Sequence, residues 1–264
     1  MSGYLALSYW DLVLAAIFLM LNGALSFAFN LGLERQLLFA SARMVVQLLL
    51  VGLVLKAIFA AGSFWLTLAI ALAMCMFAGR EIWARQERRL SGPWSYAIGT
   101  GTMMTSGMVI VLVALTTLIE PDPWWSPRYA LPLFGMILGN TMTGISLGIS
   151  ALNSTVHRER AAIEAQLLLG QTYWQAVMPF ARLALKTGFT PIINAMAVTG
   201  VVSLPGMMTG QILSGVAPEE AVKYQLLIMF LIGGATGLGV LGAVLATAWR
   251  LTDDRHRLRL DRLG

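Results

Sequence analysis

The sequence predicts an all-α integral membrane protein with about seven transmembrane helices, its N-terminus outside and its C-terminus in the cytoplasm. Three observations carry that expectation. Hydrophobic residues fill 58% of the 264 positions and charged residues only 12%, about half the charged share that a water-soluble surface needs. Six stretches are free of Asp, Glu, Lys and Arg and long enough to cross a hydrocarbon core, which takes about 20 apolar residues. The basic residues then fall in alternate loops. This composition excludes soluble enzymes and disordered chains, and no nucleic-acid partner is expected.

The charge-free stretches are 12–33, 57–79, 90–119, 129–156, 187–218 and 224–249. A seventh apolar segment, 37–59, carries Arg43 near one end and Lys56 near the other, and both side chains are long enough to snorkel to an interface. The expected spans are therefore 10–30, 37–59, 63–80, 97–118, 129–152, 186–206 and 225–249, within a single permease domain covering 1–264. All Lys and Arg residues except Lys56, Arg128 and Lys223 sort to one set of loops. Basic loops stay in the cytoplasm, so the net charge of +5 is read as an orientation signal in a bacterial inner (plasma) membrane. Lys186 is placed at the cytoplasmic edge of the sixth span, so no span carries an ionisable group at its centre.

The single cysteine, Cys75, lies in an apolar run and allows no disulfide within the chain. His157 and His256 stand apart, without the close His/Cys spacing of a zinc site. The three lysines, Lys56, Lys186 and Lys223, have no preceding glycine, so no loop of the Gly-x-x-x-x-Gly-Lys-Ser/Thr kind cradles a nucleotide. The chain is expected to bind no cofactor. Energy comes either from ATP hydrolysed by a separate subunit or from a gradient, and the second would place ionisable groups at mid-membrane depth.

The longest polar segment, about 153–185, is helical in composition. Within it, Glu164-Ala165, then Gly170, then Pro179 resembles the Glu-Ala-Ala…Gly loop of bacterial ABC permeases, with Gln166 in place of the second Ala. In that family the loop is a coupling helix that docks in the ATPase. A helix lying on the lipid surface is the alternative reading.

Further residues carry a longer resemblance. Ser203-Leu204-Pro205-Gly206-Met207-Met208-Thr209-Gly210, with Ala217-Pro218 and Ala221-Val222-Lys223-Tyr224-Gln225, is similar to the signature of the FetB family of ABC-transporter permeases. Arg43-x-x-x-Gln47 with Gly52 and Lys56, Pro132-x-x-Gly135-Met136-Ile137-x-Gly139-Asn140, and Gly170-x-Thr172 with Gln175-Ala176 match the same family in register. The resemblance implies the membrane subunit of a transporter that works with a separate ATPase. Members are associated with iron export, and plant relatives with aluminium tolerance and transport of UDP-glucose. Two positions depart from its pattern: Asn194 stands where Asp is usual, and Ala197 where Lys is usual.

Candidate residues fall into two groups. Glu164, Ala165, Gly170, Thr172 and Gln175 are the candidates for ATPase coupling. Gln47, Asn140, Asn194, Ser203, Pro205, Gly206, Met207 and Met208 are the candidates for a substrate pathway or gate. Pro205-Gly206 interrupts a helix readily, and broken backbone at membrane depth must line a cavity or be buried in protein. Met207 and Met208 are either thioether ligands, which suit Cu(I), or packing residues. Gly135-x-x-x-Gly139, Gly144-x-x-x-Gly148 and Gly233-x-x-x-Gly237 offer close helix contact, within one chain or in a permease homodimer. A passive or gradient-driven channel without an ATPase is the alternative function, and a membrane-embedded enzyme a distant third.

Overall fold

A computed structural model describes residues 8–253 and 255–264. Among them the chain is helical, with no strand beyond three isolated bridges. The helices are α1 (Tyr9–Ala28), α2 (Glu34–Ala61), α3 (Phe64–Ala84), α4 (Trp94–Val113), α5 (Pro127–Arg158), α6 (Arg160–Leu168), α7 (Tyr173–Val198), α8 (Gly206–Leu213) and α9 (Pro218–Arg250). A π-helical turn, Ala114–Leu118, extends α4. The protein is an all-α integral membrane protein: α1, α2, α3, α4 with its extension, α5 and α9 are each long and apolar enough to cross a bilayer.

The chain forms two compact units. The first holds α1, α2 and residues 211–216. Ser8 opens α1 with a capping box to Asp11, which satisfies two backbone donors at once. The α1–α2 turn is closed by Ser26, whose Oγ accepts from Leu33 N at 3.0 Å and donates to Glu34 Oε2 at 3.1 Å.

The second unit, 63–210 and 217–264, is built around α5, which packs on α3, α4, α7 and α9. Glycines set the approach distances. A Cβ placed on Gly144 would lie 2.9 Å from both the Gly188 carbonyl oxygen of α7 and Val240 Cγ2 of α9. Small residues of this kind let backbones meet where hydrocarbon gives no hydrophobic drive between helices. Gly239 of α9 sits against Thr141 of α5, whose hydroxyl lies 3.5 Å from that of Thr236.

Six of the expected spans match helices of nearly the same extent. The sixth in order differs. Instead of 186–206, the helix runs Tyr173–Val198, so it begins thirteen residues early and stops eight residues early. The contacts explain both ends. Gly144 meets Gly188 while Gly148 meets Ala184, so α7 runs antiparallel to α5. Gly144 and Gly148 of α5 also meet Val240 and Val244 of α9 in rising order, so α5 and α9 run parallel. The chain must therefore cross back within α7, a helix of 26 residues and about 39 Å. Arg182, Lys186 and Asn194 make it less apolar than the six helices that qualify as spans.

At the end of the second unit that carries the basic loops, polar ties hold the helix termini. Tyr173 Oη donates to Ala248 O at 2.8 Å, and Asn153 Nδ2 donates to Arg88 O at 3.0 Å. The C-terminal segment folds back on the α3–α4 loop. Leu263 bridges to Leu90, Gly264 N donates to Arg89 O at 2.7 Å, and Ser91 N donates to Arg262 O at 2.7 Å. Arg262 Nη1 in turn donates to the carbonyls of Arg250 and Thr252 at 2.7 and 2.8 Å.

The Asp253 carboxylate organises this turn. It accepts from Arg257 N, Arg257 Nε and Arg255 N. These donors, Arg257 first, hold its pKa at about 2, below the ordinary 3.8. A carboxyl depressed in the folded state contributes its stability above the unfolded pKa and loses it as pH falls through the folded one. The Asp253 contribution to the fold-back should therefore be complete at neutral pH, decline below about 3.8 and be lost as pH falls through about 2. Spin labels at Glu87 and His256 report this as a sharp distance distribution that broadens in acid. A distribution that already broadens near neutral pH would contradict the assignment.

Candidate transport path and coupling turn

The turn between α6 and α7 is fully specified by local chemistry. α6 ends in a Schellman motif: Gly170 N donates to Leu167 O at 3.0 Å and Gln171 N to Gln166 O at 3.1 Å. The motif needs a left-handed residue at C′, and Gly170 supplies it with φ +86. Two residues later Thr172 starts α7. Its hydroxyl accepts from Gln175 N, and Gln175 Oε1 accepts from Thr172 N at 2.9 Å. Gly170, Thr172 and Gln175 therefore stop one helix and start the next. Glu164 lies on α6 and pairs with Arg160 at 2.8 Å, and Ala165 is exposed.

The turn presents an apolar knob. Ile163 is buried and Leu167 packs on the core, which anchors α6. Leu168 and Leu169 are 90% and 83% exposed at the tip. These two leucines are the turn's candidates for contact with a partner or with the lipid surface. Composition alone did not single out this pair, because any helical segment of this kind contains leucines. Only the position of the C-cap shows which of them turn outward.

A second feature runs along α7. Its buried side is Ala181, Ala184, Gly188 and Ile192, facing α5 and α9. The other side carries Gln175, Pro179, Arg182, Lys186, Thr190 and Asn194, all exposed. These positions recur every three or four residues and so share one winding face. At its base a polar hollow of about 410 Å³ is lined by Gln171, Gln175, Met178, Pro179 and Arg182.

Depth gives this face its significance. Lys186 is two residues from Gly188, which touches Gly144, and Gly144 lies within two residues of the midpoint of the 32-residue α5. Because α7 is antiparallel to α5, Lys186 is level with about residue 146 of α5, about 5 Å from the midpoint of α5 toward the end that carries the basic loops. Lys186 lies near the middle of α7 and not at its edge. Reading charge as a sign of cytoplasm had moved the span boundary past Lys186. A lysine facing hydrocarbon at the centre of a span costs about 3 kcal/mol, and less where its side chain reaches toward the interface. The Thr190 hydroxyl is satisfied within the helix by Lys186 O at 2.8 Å. Arg182 and Lys186 have no carboxylate partner among the described residues.

Asn140 lies on the exposed side of α5, one turn from Gly144, and its Nδ2 donates to Met136 O at 2.8 Å. It and Asn194 both fall within two turns of the Gly144–Gly188 crossing. Gln47 is exposed on α2, in the first unit.

The Ser203–Met208 string is not a break inside a span. α7 has already ended at Val198, and the chain turns at Gly200, φ +87, where Gly200 N donates to Ser203 O at 2.9 Å. Pro205 O then accepts from Thr209 N at 3.0 Å as α8 begins. Gly206 is the first residue of α8, with open space around its Cα. Met207 packs against the core of the second unit and Met208 is half-buried. Met103 is fully buried, and Met108, Met136 and Met142 pack on the same core. Among the described residues no group of three or more His, Cys, Asp and Glu side chains is placed to hold a metal ion.

A bundle of long apolar helices, each able to cross a bilayer, defines a multi-pass membrane protein. The chain belongs to the family described as Uncharacterised protein family (UPF0014), which matches residues 9–251. It is 38% identical to a UPF0014 membrane protein of Synechocystis over 86% of this chain and 87% of the relative. It is 31% identical to the probable iron export permease protein FetB of Escherichia coli over 96% and 95%. With the protein ALUMINUM SENSITIVE 3 of Arabidopsis thaliana it shares 31% identity over 84% and 80%. No solved structure matches the chain.

Proposed function

We propose that this chain is the membrane permease subunit of an ABC transporter, exporting a metal ion or small solute with energy from ATP hydrolysed by a separate subunit. The observation that carries the reading is the structured α6–α7 turn with Leu168 and Leu169 at its tip. It joins a docking knob directly to α7, the helix that bears the polar face. A push on the turn is thereby a push on the lining of the route. The name of the Escherichia coli relative, an iron export permease, supports both the activity and the direction. The basic end faces the cytoplasm in this proposal, and two copies enclose the path, since α7 offers only one wall of it.

Two measurements test the proposal. Co-purification with a P-loop ATPase encoded beside it, and ATP hydrolysis that rises on reconstitution of the pair, is the expected result. An impermeant thiol reagent applied from outside should label cysteines placed at Asp122 and Ala217 but not one at Arg88. Labelling at Arg88 would invert the orientation, and absence of any associated ATPase would sink the proposal. The second reading is a gradient-driven carrier without an ATPase. Lys186 favours it, because ion-coupled carriers bind their ions at ionisable groups within their membrane-spanning helices. That reading predicts transport by the permease alone in an imposed proton gradient.

A further inference from the structure

The seam between α4 and α9 ends in two arginines that the fold leaves without a counter-charge. The helices run antiparallel: Gly234 of α9 meets Ile110 of α4, Gly239 meets Ser106, and Gly242 meets Thr102. The same register ends on Arg250, whose guanidinium stacks over the Trp94 ring at 4.5 Å. Stacking satisfies the face of a guanidinium and leaves its in-plane N–H donors to find partners. Arg250 Nε is buried and has no hydrogen-bond partner among the described residues. Beside it lies a polar hollow of about 370 Å³, walled by Trp174, Trp249 and Arg262. Over 250–264 the sequence holds five Arg against three Asp. Asp253, also on the hollow's wall, is engaged by Arg257, and Asp261 by Arg259. Arg250 and Arg262 have no carboxylate partner among the described residues.

Farther along the seam lies an apolar groove of about 360 Å³, lined by Gly101, Thr102, Thr105, Val109, Leu238 and Gly242. Its hydroxyls are committed to their own helix: Thr102 Oγ1 donates to Ile98 O at 2.7 Å and Thr105 Oγ1 to Gly101 O at 2.8 Å. Leu238, Gly242 and Trp249 share one face of α9, and Trp94, Gly101 and Thr105 one face of α4, by helical spacing. The groove therefore leads toward the arginines, with eight residues, about 12 Å, from Gly242 to Arg250. Trp94 and Trp249 are 40% and 59% exposed, and tryptophans at the ends of membrane helices sit where hydrocarbon gives way to headgroups.

We propose that this seam binds one anionic phospholipid, with its headgroup phosphate on Arg250 and Arg262 and an acyl chain in the α4–α9 groove. Uncompensated guanidinium groups at headgroup level suit phosphate oxygens, and basic pockets between membrane helices take such headgroups. The apolar groove below them suits a hydrocarbon chain, so one amphipathic molecule meets both requirements. Through Trp94, Trp174 and Trp249 it ties together the ends of α4, α7 and α9, beside the α6–α7 turn. The lipid is a resident ligand and not cargo, so its binding does not depend on the permease reading.

Native mass spectrometry of the full-length protein in detergent, titrated with phosphatidylglycerol, phosphatidylcholine or inorganic phosphate, tests the site. Phosphatidylglycerol should bind saturably, one molecule per chain, and phosphatidylcholine with the same chains more weakly. Arg250→Gln should weaken phosphatidylglycerol about tenfold or more, the loss of one charged hydrogen bond, while Arg250→Lys keeps part of the affinity. Gly101→Leu should weaken it as well, by filling the groove. That position has no atom within 4 Å of a new Cβ, so the variant should fold. The Glu87–His256 spin-label distance reports whether the fold-back is intact, and Gly101→Leu decides alone if Arg250→Gln opens it. Equal binding of the two lipids, or phosphatidylglycerol binding that ignores both substitutions, overturns the proposal. Inorganic phosphate that binds as tightly as phosphatidylglycerol and ignores Gly101→Leu makes the hollow a free-oxyanion site, and the lipid assignment falls. If Gly101→Leu turns a dimer into a monomer and leaves lipid binding unchanged, the groove is a contact between copies and the proposal fails.

Discussion

Gly188→Val should abolish folded protein in the membrane. A Cβ at this position would lie 2.6 Å from Val240 Cγ1, 2.9 Å from the Gly144 carbonyl oxygen and 3.4 Å from Gly148 Cα. Two of these neighbours are backbone, which has no alternative rotamer to adopt. Valine adds two further methyl groups to the clash, so α7 must move away from both α5 and α9. Overpacking of a core by side chains that can still shift costs about 1–3 kcal/mol, and this contact leaves less room to relax. Total stability of about 5–15 kcal/mol leaves a narrow margin, and the same movement breaks the tie from Tyr173 to Ala248. Size-exclusion of detergent extracts should show loss of the monodisperse peak. Gly139→Val is the matched control: it lies on the same helix as Gly144 with no atom within 4 Å of a new Cβ, and its peak should persist. Two normal peaks would mean that α5 and α7 do not meet at their glycines.

The second large effect is expected at the coupling turn. Leu168→Asp with Leu169→Asp should leave folding unchanged, because both side chains stand outside the core. Burying one leucine contributes about 1.5–3 kcal/mol, so losing two from an ATPase interface should weaken association about a hundredfold or more. Co-purified ATPase and stimulated hydrolysis should both fall, while thermal stability of the permease alone holds. Gly170→Ala and Thr172→Ala form the contrasting pair. The first strains a left-handed position by about 1–2 kcal/mol and the second removes a cap worth about 1 kcal/mol. Both loosen the turn without removing the leucines, so partial association is expected. Full association by the double Asp variant would place the knob on the lipid surface instead.

These experiments separate what the chain's composition dictates from what its packing dictates. The membrane class and six of the spans were legible because hydrocarbon is an unforgiving solvent: about 20 apolar residues must occur together to cross it, and any sequence that does so displays them. The α6–α7 turn was picked out by resemblance as a candidate for ATPase coupling, and Gly170 with Thr172 and Gln175 was named without the reason for their residue types. That reason is the Schellman end of α6 and the capping box of α7, which exist only once both helices are in place.

The helix that matters most for the proposed route was misread at both ends. Arg182 and Lys186 look like cytoplasmic charge, since in one sequence a charge reports cost and not depth. Their level against α5 and α9 is decided by Ala184 and Gly188 meeting Gly148, Gly144 and Val240, contacts between residues 36 or more positions apart. The polar side of α7 is tolerated because its apolar side is so closely held. Sequence by itself determined that this protein lives in the bilayer. Tertiary structure decided where α7 begins and ends and which of its residues face α5 and α9, because those limits are set by packing between helices distant in sequence.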